Sequence, residues 1–485
     1  MNTHVKIHRP PCPAWFRDAK FGIWSHWSAQ SVPGVSGWYA RNLYNEGHPM
    51  ANHHRRVYGH PSCFGYKDII ALWRGERFDP VRLTELFRRA GARYVCALAA
   101  HHDNFDCWDS RHHPWNSVNH GPRRDIVGEW RRAVRAAGLR FAVSEHLERS
   151  YSWFNLNKAA DRFGPLASIH YDGADPAHAA LYFEHHPDTT KWYPANPSPA
   201  FQQNWLDRIN DLVEQHDPDL LYTDGGLPFG EIGRRMLANF YARNAERRGG
   251  VCDAVYALKD PRMHPNEVLG DYDPAFGLLD VERGVVDGIQ PEPWQTDTCV
   301  GAWDYDTRVR YKTPREILTL LVDVVSKNGN LLLNFPPRAD GTLDDECEWI
   351  LSELAAWFAV HGEAIHGTRP WKQFSEGPAS LAAGSFAESK TPDFGATDFR
   401  FTQRTDAATG ATTLYVFTFG WPQDSESWRI RALATMPVTE ARLLGCDTPL
   451  NYRRSQDHLS IYPPAHRPTF PLNCLRLRLG HTVDA

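Results

Sequence analysis

The sequence predicts an α/β fold: a (β/α)8-like barrel followed by a C-terminal antiparallel β-sandwich. Three observations predict it. Up to about residue 340, short apolar runs alternate with amphipathic segments, the pattern of strand–helix units around a parallel sheet. Several of those runs stop abruptly at His, Asp, Glu or Lys, as buried strands do when they deliver polar groups to the ligand-binding end of a barrel. From residue 365 onward the texture changes to short alternating segments separated by turn signals, which marks an antiparallel β domain.

The strand candidates are Phe21–Trp27, Tyr94–Ala100, Arg140–Val143, Leu220–Thr223, Ala254–Leu258, Val285–Ile289 and Asn330–Phe335. Amphipathic stretches lie between them at 65–75, 81–91, 126–138, 201–216, 230–247 and 314–328, with a final helix over 344–360. Asp125 opens one of them, with Ile126, Val127, Trp130, Val134 and Ala137 at helical spacing. Insertions at 45–64 and 148–200, rich in His, Pro, Asn and Gly, are placed as loops around the barrel mouth. The predicted domains are a barrel over residues 1–362 and a sandwich over 363–485. The sandwich strands are expected in FRFTQR, TLYVFTF, WRIRAL, EARLLG, LSIYPP and CLRLRLG.

Composition narrows the function classes. The 485 residues are 42% apolar and 23% charged, so the chain is globular and long enough for two domains. A net charge of −5 with no basic run argues against a nucleic-acid surface. Nine scattered cysteines without CxxC spacing fit reduced thiols better than a disulfide framework or a zinc knuckle. The amino terminus has no apolar signal core, and no stretch approaches the length of a membrane span. The expected location is cytoplasmic, or secreted or periplasmic if a signal has been removed. No membrane partner is expected, and a homo-oligomer is left open.

The strand ends carry the candidate chemistry. The first delivers His26 and Trp27, and the second His101, His102 and Asp103. The third gives Glu145, His146 and Glu148. The fourth gives Asp224, followed by two glycines that permit close approach. Lys259 ends the fifth, Glu282 lies in GLLDVERG, and Glu292, Trp294 and Asp297 lie in PEPWQTD. Asp224 stands out because an acid after four apolar residues is costly to bury unless paired or used. Two chemistries fit such a mouth: a His-held metal activating water, or two carboxylates cutting a glycosidic bond. The first strand carries a single His and the last ends in Asn334-Phe335-Pro336-Pro337, which weighs against metal. Abundant Trp beside the acids, in a chain with eighteen, favours a sugar ligand.

These residues resemble glycoside hydrolase family 29, the retaining α-L-fucosidases. The likeness is carried by WFRDAKFGIWSHW (15–27), HHDNFDCWDS, NSVNHGPRRDIVGE, LLYTDGG, WQTDTCVGAWDY, NGNLLLNFPPRADGTL and HGEAIHGTRPW, in order across residues 15–371. The resemblance implies a hydrolase acting by double displacement on a fucosylated oligosaccharide or glycoside, with neither metal nor organic cofactor. It implies Asp224 as nucleophile and Glu282 as acid/base, with Glu292 and Glu145 as competitors. It further implies His26, Trp38, His101 and His102 as sugar-binding positions, joined by Glu145 and Trp294. Lys259 sits where many members carry Arg; a cation there keeps the nucleophile ionised. The sequence departs from the family at Ser36-Gly37-Trp38 and Ser144-Glu145-His146, both touching sugar contacts. The alternatives are a metal-dependent hydrolase on the same barrel and an inactive fucose-binding protein on a glycosidase scaffold.

Overall fold

The computed structural model describes residues 9–191, 193–263, 270–388, 392–423 and 426–480. Residues 1–8, part of the stretch read for a signal core, lie outside them. Eight parallel strands close into a barrel in sequence order: β1 Phe21–Ser25, β2 Tyr94–Ala100, β3 Arg140–Glu145, β4 Leu220–Thr223, β5 Val255–Lys259, β6 Leu278–Glu282, β7 Trp294–Cys299 and β8 Gly329–Asn334. The ring is completed by β1 pairing with β8, Phe21 opposite Leu331.

The strands are buried on both faces, so they read as continuous apolar runs instead of alternating ones. Their alternation is structural. Trp24, Tyr94, Cys96, Ala142, Leu220, Tyr222, Val255, Ala257, Leu278 and Leu332 form one cluster inside the barrel. The intervening residues, such as Ile23, Val95, Ala97, Val143 and Leu221, join the larger core beneath the helices. Gly22 is required at its position, because a Cβ there would fall 2.3 Å from the Tyr94 ring. A polar layer threads the interior: Tyr94 Oη donates to Gln295 Oε1 (2.9 Å) and Gln295 Nε2 to Asp280 Oδ1 (2.9 Å).

The outer helices start where the sequence supplies caps. Asp125 accepts from the Gly128 amide at the head of Ile126–Ala136, and Thr313 and Glu316 form a capping box before Pro314–Ser326. The insertions contain structure of their own: 45–64 holds the helix Pro49–Val57, and 148–200 holds several short helical turns.

One expected strand is corrected. Val285–Ile289 is loop, and the sixth and seventh strands are β6 and β7 on either side of it. Val285 and Val286 are buried, but Val285 bridges to residues 383–384 and neither joins the barrel ladder. Burial selects apolar residues whether or not the backbone is in a sheet.

Beyond the helix Asp345–His361, the C-terminal region forms a five-stranded antiparallel sheet and a three-stranded one. The larger sheet comprises β9 Arg369–Glu376, β10 Phe399–Thr405, β11 Thr412–Thr418, β13 Val438–Leu443 and β16 Asn473–Leu479. The smaller comprises β12 Trp428–Ile430, β14 Tyr452–Arg454 and β15 Leu459–Ile461. One face of the larger sheet packs on the barrel through Tyr415, Phe417 and Cys474. The buried Arg400–Asp323 pair (2.6 Å), with Lys327 also on Asp323 (2.8 Å), ties β10 to the helix Pro314–Ser326. Among the described residues, no helix is long and apolar enough to cross a membrane.

Candidate active site

The site extends the barrel's interior alternation by one step. On β4 the inward series Leu220, Tyr222 continues to Asp224; on β5 Val255, Ala257 continues to Lys259; on β6 Leu278, Asp280 continues to Glu282. The same step takes Trp24 to His26 and Gln295 to Asp297. Each polar residue emerges where the apolar filling ends, at the carboxyl end of its strand. A cavity of about 340 Å³ opens there. Seven residues expected from the sequence line it together: His26, Trp38, His101, His102, Asp224, Lys259 and Glu282.

Asp224 lies at the centre of a charge network. Lys259 Nζ donates to Asp224 Oδ1 (2.5 Å) and also to Glu282 Oε2. Two oxygens held this closely to one nitrogen are no more than about 5 Å apart. Arg149 donates to the Asp224 carbonyl (2.9 Å) and lies 3.4 Å from its Oδ2. His102 Nε2 and His146 Nδ1 each lie 3.5 Å from the same Oδ2. Burial alone would raise the Asp224 pKa, but the charge of Lys259, then that of Arg149, lead the interactions that outweigh it and hold the carboxyl well below its ordinary range. Burial pulls Lys259 down, and the charges of Asp224 and Glu282 more than reverse it, keeping the ammonium charged.

The histidines are neutral groups. Burial lowers His26 and His101 well below the ordinary imidazole range, and lowers His102 to about 4. His102 Nδ1 donates to the His146 carbonyl (2.7 Å), so in the neutral ring Nε2 is an acceptor facing the cavity. Nδ1 of His26 and of His101 have no partner among the described residues. Neutral imidazoles with such nitrogens can each donate to or accept from a hydroxyl, as binding a polyol requires. They also have metal spacing: donor atoms of His26, His101 and His146 lie within 4.8 Å of one another, as do those of His102, His146 and Asp224. At the second set a cation would face Lys259 and Arg149, already paired with Asp224.

Three expectations are corrected. Glu145 does not line the cavity; it follows Ser144, which faces inward toward the Trp24 indole, so alternation turns Glu145 outward. There its Oε2 accepts from the Leu147 amide (3.0 Å) and the Trp205 indole (3.3 Å). Trp294 begins β7 at the opposite end of the barrel, where its Nε1 donates to the Lys327 carbonyl (3.0 Å). Glu292 precedes it at that end, paired with Arg9 (3.1 Å) and largely exposed.

His146 and Asp297, both named at strand ends, line the cavity too; Arg149, Tyr222, Trp303, Asp304 and Phe386 line it without having been assigned to the site. Tyr222 was findable by counting alternate residues, and it is hydrogen-bonded to Asp297 (2.9 Å). Trp303 stands in the WQTDTCVGAWDY stretch, its ring 5.0 Å from that of His26. Arg149 lies in a helical turn within an irregular insertion, and Phe386 lies in the C-terminal region. Neither carries a local signal.

The sequence profile of the α-L-fucosidase family matches residues 2–363. Human plasma α-L-fucosidase is 26% identical over 91% of this chain and 83% of its own length. Rat tissue α-L-fucosidase is 28% identical over 76% of this chain and 72% of its own. The crystal structure of Thermotoga maritima α-fucosidase superposes with a TM-score of 0.72 at 26% identity, covering 96% of this chain and 97% of that one. The family match spans the barrel and every strand end that lines the cavity, and on it the chain belongs to the α-L-fucosidase family of retaining glycoside hydrolases.

Proposed function

We propose that the cavity binds a terminal α-L-fucosyl residue and cleaves it with Asp224 as nucleophile and Glu282 as acid/base. The observation that carries the assignment is the shared ammonium. Lys259 bridges these two carboxylates at the barrel mouth, which holds them close together as retaining pairs are, and well inside the separation of about 6.5–9.5 Å that inverting pairs need for a water. In the first step an Asp224 oxygen bonds to the anomeric carbon as the glycosidic C–O bond breaks, and Glu282, having first taken up a proton from solvent, gives it to the departing oxygen. In the second, water bonds to the anomeric carbon and returns a proton to Glu282 as the Asp224 ester is released. Once Asp224 is esterified its charge is gone, and the Lys259 ammonium is left with Glu282, the group that must then accept a proton.

The neutral His26, His101 and His102 supply hydroxyl contacts, and Trp303 and Trp38 supply apolar faces. The presence of both carboxylates and of the paired cation supports an enzyme over an inactive sugar-binding protein. Incubation with 2-deoxy-2-fluoro-α-L-fucosyl fluoride tests the assignment: one fluorofucosyl group on the Asp224 peptide is expected, and a label on another residue would overturn it.

A further inference from the structure

The cavity wall beside Glu282 comes from outside the barrel. Phe386, in the loop between β9 and β10, is the lining residue contributed by the C-terminal region. Its segment is laced to the turn that follows Glu282. The Phe386 amide donates to the Glu282 carbonyl (2.8 Å), the Gly384 amide to Val285 (2.9 Å), and the Glu388 amide to Arg283 (3.1 Å). Glu388 adds an ion pair to Arg283 (2.5 Å) and accepts from Thr298 Oγ1 (2.7 Å). The approach is so close that a Cβ on Gly284 would fall 1.8 Å from the Gly384 carbonyl. Phe386 itself sits in the left-handed region, φ 58°, which a bulky residue rarely adopts. The residue is nevertheless 37% exposed, so this anchored, unfavourable backbone places an aromatic side chain at the cavity rim instead of in the core.

We infer that Phe386 is a specificity-determining residue: its ring is a platform for the flat apolar face of the leaving group, an aryl ring or the C–H face of a pyranose. The inference rests on the reading of Glu282 as acid/base. The group that protonates the departing oxygen lies on the leaving-group side, and Phe386 is hydrogen-bonded to that residue's own backbone. Aromatic rings gain from stacking on such faces, whereas a leaving group without a face gains nothing.

The test compares three substrates of the full-length enzyme: α-L-fucosyl fluoride, whose leaving group has no face, p-nitrophenyl α-L-fucoside, and a fucosyl disaccharide. Phe386→Asn removes the ring while suiting the left-handed backbone, and Phe386→Tyr keeps the platform. For Phe386→Asn, the ratio of kcat/KM on the aryl fucoside or disaccharide to that on the fluoride should fall about tenfold, through KM more than kcat, with Phe386→Tyr close to wild type. A fall on the aryl substrate alone, or on the disaccharide alone, would identify which face the ring receives. An unchanged ratio, or an equal loss on all three substrates, would overturn the inference. A wild-type enzyme inactive on all three, fluoride included, would instead overturn the underlying fucosidase assignment.

Discussion

Lys259 Nζ lies 2.5 Å from Asp224 Oδ1 and is itself almost fully buried. Burying a lone carboxylate or a lone ammonium in this position would shift either toward its neutral form. Placed together, and joined by Arg149 and Glu282, each keeps the other charged. The pair keeps Asp224 ionised, and so nucleophilic, well below the ordinary carboxylate range, and it makes the cation inseparable from the chemistry.

Lys259→Met should therefore lower kcat/KM on an aryl fucoside by about 100-fold or more. It removes the positive charge that does most to hold the Asp224 carboxyl down, so the acidic limb of the kcat/KM profile should move to higher pH. The positive charge of Lys259→Arg should restore part of the rate and return the limb toward its original position. A pH–rate profile of the three enzymes reads both effects.

Truncating His101 or His102 removes a hydroxyl partner without touching the nucleophile. Each Ala variant should lose about 100-fold in kcat/KM, yet still accept the fluorofucosyl label on Asp224, only more slowly. Mass spectrometry after long incubation separates this from loss of the nucleophile, in which no label appears at any time.

The three-histidine cluster makes a metal-dependent reaction testable on this same site. Dialysis against a strong chelator should leave kcat and KM for the aryl fucoside within about twofold of their starting values, because the double displacement draws its charges from Asp224, Glu282, Lys259 and Arg149. Loss of activity restored by added zinc would favour metal-activated water.

Asp304 offers a stability test. Burial, then the neighbouring Asp103 charge, raises its pKa to about 7. A carboxyl raised in the folded state contributes stability that is complete below its unfolded pKa and is lost as pH rises through the folded value. Asp304→Asn mimics the protonated acid at all pH, so its Tm relative to wild type should climb between about pH 4 and 7 and then level off. A pH-independent difference in Tm would show that Asp304 does not titrate in this window.

What the sequence revealed follows from which signals are local. Six of the seven expected barrel strands were legible because burial on both faces leaves an uninterrupted apolar run with a visible end. Asp224, Lys259 and Glu282 were legible for the same reason. Glu145 misled because a strand end supplies polar residues to two faces, and only the inward parity, set by Ala142 and Ser144, reaches the cavity. Trp294 misled because it opens its strand and does not close it, which puts it at the wrong end of the barrel. Val285–Ile289 was apolar for reasons of packing against a segment 100 residues away. That same long-range packing brings in Phe386, and nothing in the residues around it marks the contact.

The central claim is that Asp224 forms and breaks the bond to the sugar, and Asp224→Gly with and without azide tests it most directly. With the carboxylate gone, turnover of an aryl α-L-fucoside should collapse. Azide, entering the space it leaves on the opposite face of the ring, should restore turnover and yield β-L-fucosyl azide. Undiminished hydrolysis by the variant, or rescue that gives no β-azide, would contradict the account.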